Sequence, residues 1–139
     1  MFATAHAVSV SQRQVGAYKQ VHVATGVDDA SPHGLIAMLY DGLITAMTEA
    51  RGAIRSRNIA AKGQAIARAL RIVDEGLNAS LDMSAGGALA GQLSALYDYV
   101  VIRLTHANLH SDESAIEECV RLIEPVRSAW SQIASRLPS

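Results

Sequence analysis

Aromatic side chains, cysteine and proline are all scarce in this 139-residue chain: 4% of it is Phe, Tyr or Trp, with one cysteine and three prolines. A single cysteine, Cys119, excludes an intrachain disulfide, and within a helical pattern it reads as a small buried hydrophobe. The apolar half of the chain is dominated by alanine. That disfavours a β-sandwich, which draws on Val, Ile, Tyr and Thr, and favours closely packed helices. Long apolar runs are missing as well: none approaches the roughly 18–20 residues of a membrane span. The N-terminal MFATAHAVSVSQR lacks the positive stretch followed by an apolar one that marks a signal peptide. Charge of one sign does not dominate either. The net charge is −1 with histidines neutral, with no basic block to suit nucleic acid and no acidic tail. These absences predict a cytoplasmic, all-α, single-domain protein with no nucleic acid among its partners and no membrane insertion. The length suffices for one core without metal or disulfide staples.

What is present is helical periodicity. Residues 1–30 sustain no long period, and HVATGVDDA (residues 22–30) reads as a linker. Val15 and Tyr18 lie three apart, enough for a turn or two that needs something to dock on. The spacing therefore predicts an N-terminal arm over 1–30 and a bundle over 31–139. Ser31-Pro32 marks a sharp helix start, with Ser to cap free amides and Pro already in helical φ. Leu35, Met38, Leu39, Leu43, Met47, Ala50 and Ile54 form the first stripe, with Ile36, Tyr40 and Ile44 beside it. Asn58 caps a second helix carrying Ile66, Leu70, Val73, Leu77 and Leu81. A second, small-residue face on that helix (Ala65, Ala69, Ile72, Gly76 and Ala79) suggests close approach of another backbone. Ser84 to Gly87 reads as a loop. After a turn at His110-Ser111-Asp112, a fourth helix begins with Glu113, Glu117 and Glu118, where negative charge is favoured. Its stripe is Ile116, Val120, Ile123, Trp130, Ala134 and Leu137, and Pro125 within it should kink the helix. Four stripes joined by short connections predict an antiparallel four-helix bundle.

The third helix, from near Ala88 to about Leu109, carries more apolar residues than a bundle helix needs. Leu93, Leu96, Tyr97, Val100, Leu104 and Ala107 make one stripe, while Tyr99, Ile102, His106 and Leu109 repeat the spacing on another side. Either the helix is buried on most sides or it presents an apolar wall to a partner. Asp98, Arg103 and Asn108 interrupt the apolar run. They read as solvent-facing polar residues or, for Arg103 with His106, as the rim of a groove that hydrogen-bonds a guest peptide.

No constellation for catalysis stands out. Gly86-Gly87 is followed by Ala-Leu-Ala rather than by the Lys and Ser or Thr of a phosphate loop, and HExxH is absent. The Glu-x-x-His pairs of di-iron bundles are missing. His106 and His110 are four apart but supply only two ligands, short of a metal site. Cys119 lacks the electropositive setting of a nucleophile. No enzyme activity and no cofactor are expected.

The stretches ASPHGLIAMLYDGL (residues 30–43), AKGQAIARALRIVDEGLNASLD (61–82), LYDYVVIRLTHANL (96–109), AIEE (115–118) and Ala129-Trp130 together resemble the FliS family of flagellin export chaperones. QVGAY (14–18) is similar to that family's N-terminal motif. The resemblance implies binding of the C-terminal segment of flagellin, which is disordered in the monomer, and prevention of its premature polymerisation. It also implies delivery to the type III export gate component FlhA, with Val15 and Tyr18 tied to docking and groove coverage. Combined with the extra apolar faces, it makes Val15, Tyr18, Tyr40, Ile72, Val73, Leu77, Tyr99, Ile102, Arg103 and His106 the candidate partner-binding residues. On the third helix, Leu96, Tyr97, Val100 and Leu104 would hold the bundle, and Tyr99, Ile102 and His106 would face the client. Two other partner readings stay open: an adaptor or regulator holding another flagellar protein such as an anti-sigma factor, and a homodimer formed through the apolar faces.

Overall fold

In the computed structural model, residues 31–134 are described, and they form four helices. Helix α1 spans Pro32–Arg55. Helix α2 spans Ile59–Arg71 and runs on as a π-helical segment, Ile72–Asn78. Helix α3 spans Met83–His110 and α4 spans Glu113–Ala134. Each helix packs on its two neighbours around a ring, with α1 making its most extensive contacts to α2 and α4. This is an all-α four-helix bundle of antiparallel neighbours, as the short connections require. The arm, with Val15 and Tyr18, and Leu137 of the fourth stripe lie outside the described residues.

The helix ends follow from local chemistry. Ser31 Oγ accepts from the Gly34 amide at 3.0 Å, with Pro32 beginning the helix. Asn58 Oδ1 accepts from the Ala61 amide at 3.0 Å and starts α2. Asp112 Oδ1 accepts from the Ser114 amide at 3.0 Å and opens α4. Between α1 and α2 the chain closes a Schellman turn: the Asn58 amide donates to Ala53 O and the Arg57 amide to Ile54 O. Arg57 therefore takes the left-handed position, φ 59°, that glycine commonly fills.

Residues 84–86 depart from the expected loop. Asp82 Oδ1 accepts from the Ser84 and Ala85 amides, which seeds a first helical turn from Met83. That turn meets the rest of α3 at a break, Gly87 at φ 56° and ψ −135°, a backbone conformation closed to side chains with a Cβ. Helix α4 continues through Pro125.

The core draws eight buried residues from α1, Leu35 to Ala53. Met38 and Ile54 of the expected stripe are only partly covered, and so are Leu70 and Leu81. Both faces of the second helix turn inward. Ala65, Ile66, Ala69, Ile72, Val73, Gly76 and Leu77 are all buried. In the π-helical segment the turn is wider than 3.6 residues, so positions four apart align. Ile72 and Gly76, like Val73 and Leu77, then share the inner side. A Cβ on Gly76 would lie 3.0 Å from the Leu39 side chain, so glycine lets α1 and the π segment come close. Cys119 is fully buried, and burial pushes its thiol pKa up to about 12, which keeps it neutral and unreactive.

Polar contacts tie the ring at defined places. Tyr40 and Tyr97 share a buried hydroxyl–hydroxyl bond of 2.5 Å between α1 and α3. Burial raises the pKa of both phenols, so both stay protonated at neutral pH. Lys62 is buried at 6% exposure and donates to Ser111 Oγ at 2.7 Å, fastening the α3–α4 turn to α2. His33 and Trp130 stack at 4.1 Å and exchange two 3.0 Å hydrogen bonds through each other's backbone carbonyl. At the other end of the α1–α4 seam, Arg51 pairs with Glu117 at 3.1 Å and Arg55 with Glu113 at 2.7 Å.

Two stability outcomes follow. Tyr40→Phe or Tyr97→Phe alone strands a buried hydroxyl and should cost about 1–3 kcal/mol in urea denaturation, whereas the double variant should lie close to wild type. Val73→Asp places a charge at a fully buried position. It should cost more than about 4 kcal/mol and abolish the native circular dichroism spectrum.

Candidate partner-binding surface

Most apolar side chains of α2 and α4 face inward, but α3 carries apolar residues on two sides, one of them exposed. Its inner side holds Tyr97, Val100, Leu104 and Ala107, all buried. Leu93 and Leu96 pack partly against them. On its outer side Tyr99 is 40% exposed, Ile102 64% and Leu109 76%. With His106 between them, these residues follow the three-and-four spacing of one continuous stripe. Exposed apolar residues scattered singly are ordinary, but a stripe along one helix marks a surface built for contact.

One flank of this stripe is fixed by α4. Glu118 accepts from the Tyr99 hydroxyl at 2.6 Å through one oxygen and from Arg103 Nε at 2.7 Å through the other. The bond to Tyr99, then that to Arg103, holds the Glu118 carboxyl below its ordinary pKa. The same two bonds raise the pKa of the Tyr99 phenol and the Arg103 guanidinium. Further along, His106 Nε2 lies 3.1 Å from Asp112 Oδ2 and its ring sits 4.6 Å from that of His110. Asp112 in turn caps α4 through Ser114, whose hydroxyl bond is the main reason its pKa is lowered. The C-terminal half of α3 is thus an apolar strip with a hydrogen-bonded polar margin.

A second feature is a small cleft near the first turns of α1, lined by Ile36, Leu77, Leu81, Leu93 and Trp130 and backed by the Tyr40–Tyr97 pair. Its apolar lining suits a side chain from a docking segment.

The ten candidate partner-binding residues of the sequence separate accordingly. Tyr99, Ile102, Arg103 and His106 come together on the outer side of α3. Tyr40, Ile72, Val73 and Leu77 do not join them: they are 0–4% exposed and hold α1, α2 and α3 together. Both apolar faces of the second helix are drawn into the core, where Gly76 lets the π segment come close to Leu39 of α1. Only Tyr40 and Leu77 also border the cleft. Val15 and Tyr18 are outside the described residues. Sequence reading missed Glu118 as part of the surface. Its spacing suited the favoured acidic start of a helix, and nothing local to α4 signals a bond to Tyr99 nineteen residues earlier.

Among the described residues, no group of three or more His, Cys, Asp or Glu could hold a metal ion. No described helix is long and apolar enough to cross a membrane. Fold and surface together define a helical-bundle protein with one helix side left apolar and exposed. The sequence matches the family described as flagellar protein FliS over residues 14–137, and the chain belongs to that family. It is 45% identical over 122 residues to the flagellar secretion chaperone FliS of Salmonella typhimurium, covering 88% of this chain and 90% of that protein. It is 40% identical to the flagellar secretion chaperone FliSB of Pseudomonas aeruginosa, covering 84% of this chain and 92% of that one. The FliS of Bacillus subtilis is more distant, at 31% over 121 residues.

The lowered carboxyls set the acid response. A carboxyl with a folded-state pKa below its ordinary value contributes stability above that ordinary value and loses it as pH falls. Asp82, held low mainly by the Ala85 amide, Asp112 and Glu118 all have this sign. The urea midpoint should therefore drop on acidification from about pH 5 towards pH 3, and Glu118→Gln should flatten part of that slope.

Proposed function

We propose that this protein is a cytoplasmic export chaperone, without enzymatic activity, that binds the C-terminal segment of flagellin, keeps it from polymerising prematurely and assists its delivery to the export gate component FlhA. The observation that carries this reading is the exposed stripe of Tyr99, Ile102 and Leu109 on a helix whose other side is already committed to the core. Membership of the FliS family, whose relatives are named secretion chaperones, supports the class of partner.

A client segment without structure of its own must be ordered on binding, so a large apolar contact has to supply the affinity. An amphipathic client helix laid along α3 would cover Ile102 and Leu109 with its apolar side. Arg103 and His106 at the margin would meet its backbone carbonyls or polar side chains. Coupled folding of this kind buries on the order of 1,000–3,000 Å². Val15 and Tyr18 belong, in this proposal, to a segment that docks on the export gate and covers the apolar cleft. The chain enters α1 at Ser31, close to Ile36 at the cleft's edge.

Isothermal titration with a flagellin C-terminal peptide should show binding at micromolar concentration or tighter. Ile102→Asp should weaken it at least tenfold, with an unchanged circular dichroism spectrum and a stability within about 0.5 kcal/mol of wild type. Absence of binding by the wild-type chain would sink the proposal.

A further inference from the structure

The polar margin of the α3 stripe carries more than its apolar residues do. We propose that Glu118 on α4 is a positioning residue for the partner surface, acting through Tyr99 and Arg103. This rests on the reading that the outer side of α3 is where the client docks. The carboxylate spends one oxygen on the Tyr99 hydroxyl, at 2.6 Å, and the other on Arg103 Nε, at 2.7 Å. Both neighbours belong to α3, one turn apart, so a single α4 side chain fixes two side chains at the edge of the stripe.

The geometry gives each of them a defined role. Tyr99 is 40% exposed, and on the surface its ring would ordinarily sample several rotamers. With its hydroxyl tethered to Glu118, the ring is held towards α4 and forms a standing wall beside Ile102. Arg103 is engaged through Nε alone among the described residues, which leaves its two terminal nitrogens for oxygen acceptors of an incoming peptide. A long, flexible arginine is thereby aimed before the client arrives. Ordering a rotamer-rich side chain at an interface costs about 0.5–1.5 kcal/mol, and here that ordering precedes binding.

The other charged groups nearby do not duplicate this. Asp112 is occupied with His106 and with the amides and hydroxyl that open α4. Glu117 faces the opposite seam and pairs with Arg51. Glu118 is the one described carboxylate bonded to both residues.

The test is a double-mutant cycle on the full chain, read by titration with the flagellin C-terminal peptide and by thermal unfolding. Tyr99→Phe removes only the hydroxyl, and Glu118→Gln removes the charge and one acceptor oxygen. Each should weaken binding roughly tenfold. The double variant should be little weaker than Glu118→Gln alone, because losing the Glu118 bond already frees the Tyr99 hydroxyl. Any fall in Tm should be small beside the loss of affinity, since Tyr99 is 40% exposed and the Arg103–Glu118 bond is only part-buried. Wild-type affinity in Glu118→Gln, or strictly additive losses in the double variant, overturns the proposal while leaving the chaperone reading intact. If Glu118→Gln fails to fold, Tyr99→Phe decides alone: unchanged affinity overturns the proposal. A wild-type chain that binds no client overturns both.

Discussion

Four helices in a ring leave part of each member uncovered, and that constraint governs the rest of this structure. Helix α1 meets it by burying eight residues against α2 and α4. Helix α2 turns both of its apolar faces inward, and α4 buries Ile116, Cys119 and Ile123. Helix α3 carries apolar residues round more of its circumference than its neighbours cover, and Tyr99, Ile102 and Leu109 face outward. The exposed stripe is what its neighbours leave uncovered.

The small size of the core residues makes the constraint sharper. With 4% aromatic content, the interior is filled by alanine, glycine and branched aliphatics, and the backbones approach closely. Gly76 against Leu39 is the clearest instance. Close approach leaves little room for polar groups, and those that are inside come paired, as Tyr40 with Tyr97 and Lys62 with Ser111. An unpaired member of either pair would pay the full desolvation cost in a low-dielectric interior. The same economy places the flexible, charged groups at the seams. The Arg51–Arg55–Glu113–Glu117 ladder closes one, and Glu118 with Tyr99 and Arg103 borders another.

Helix α3 divides its two sides between the bundle core and an exposed apolar surface. Stability resides mainly in α1 and its neighbours, with the inner side of α3 completing the ring. The outer side of α3 carries almost none of it, so it is free to be specialised for contact. Glu118 links the two regions: it sits on a helix committed to the core through Ile116, Cys119 and Ile123, yet its carboxylate reaches the contact surface.

The sequence determined the four helices, their order and the caps at Ser31 and Asn58, because capping and amphipathic spacing are local; between Ser111 and Asp112 as the fourth helix's cap, the structure chose Asp112. The spacing also exposed the double apolar character of α3. The break at Gly87 falls where the sequence ends its loop, but the helical turn before it and the π-helical turn from Ile72 were beyond the pattern, since one turn is too short to show a period and the wider turn has no propensity signature. The turn at Arg57 was equally hidden, because a non-glycine residue fills the left-handed position. For the second helix the pattern showed two apolar faces as well, and it could not say that both would be buried. Burial depends on which backbones approach, and that is fixed by glycine and alanine contacts between segments distant in sequence. The tertiary structure alone decided that Ile72, Val73 and Leu77 belong to the core while Tyr99 and Ile102 stay outside. It alone joined Glu118 to Tyr99, because a cross-helix hydrogen bond depends on the register between two helices, and no spacing within either one encodes it.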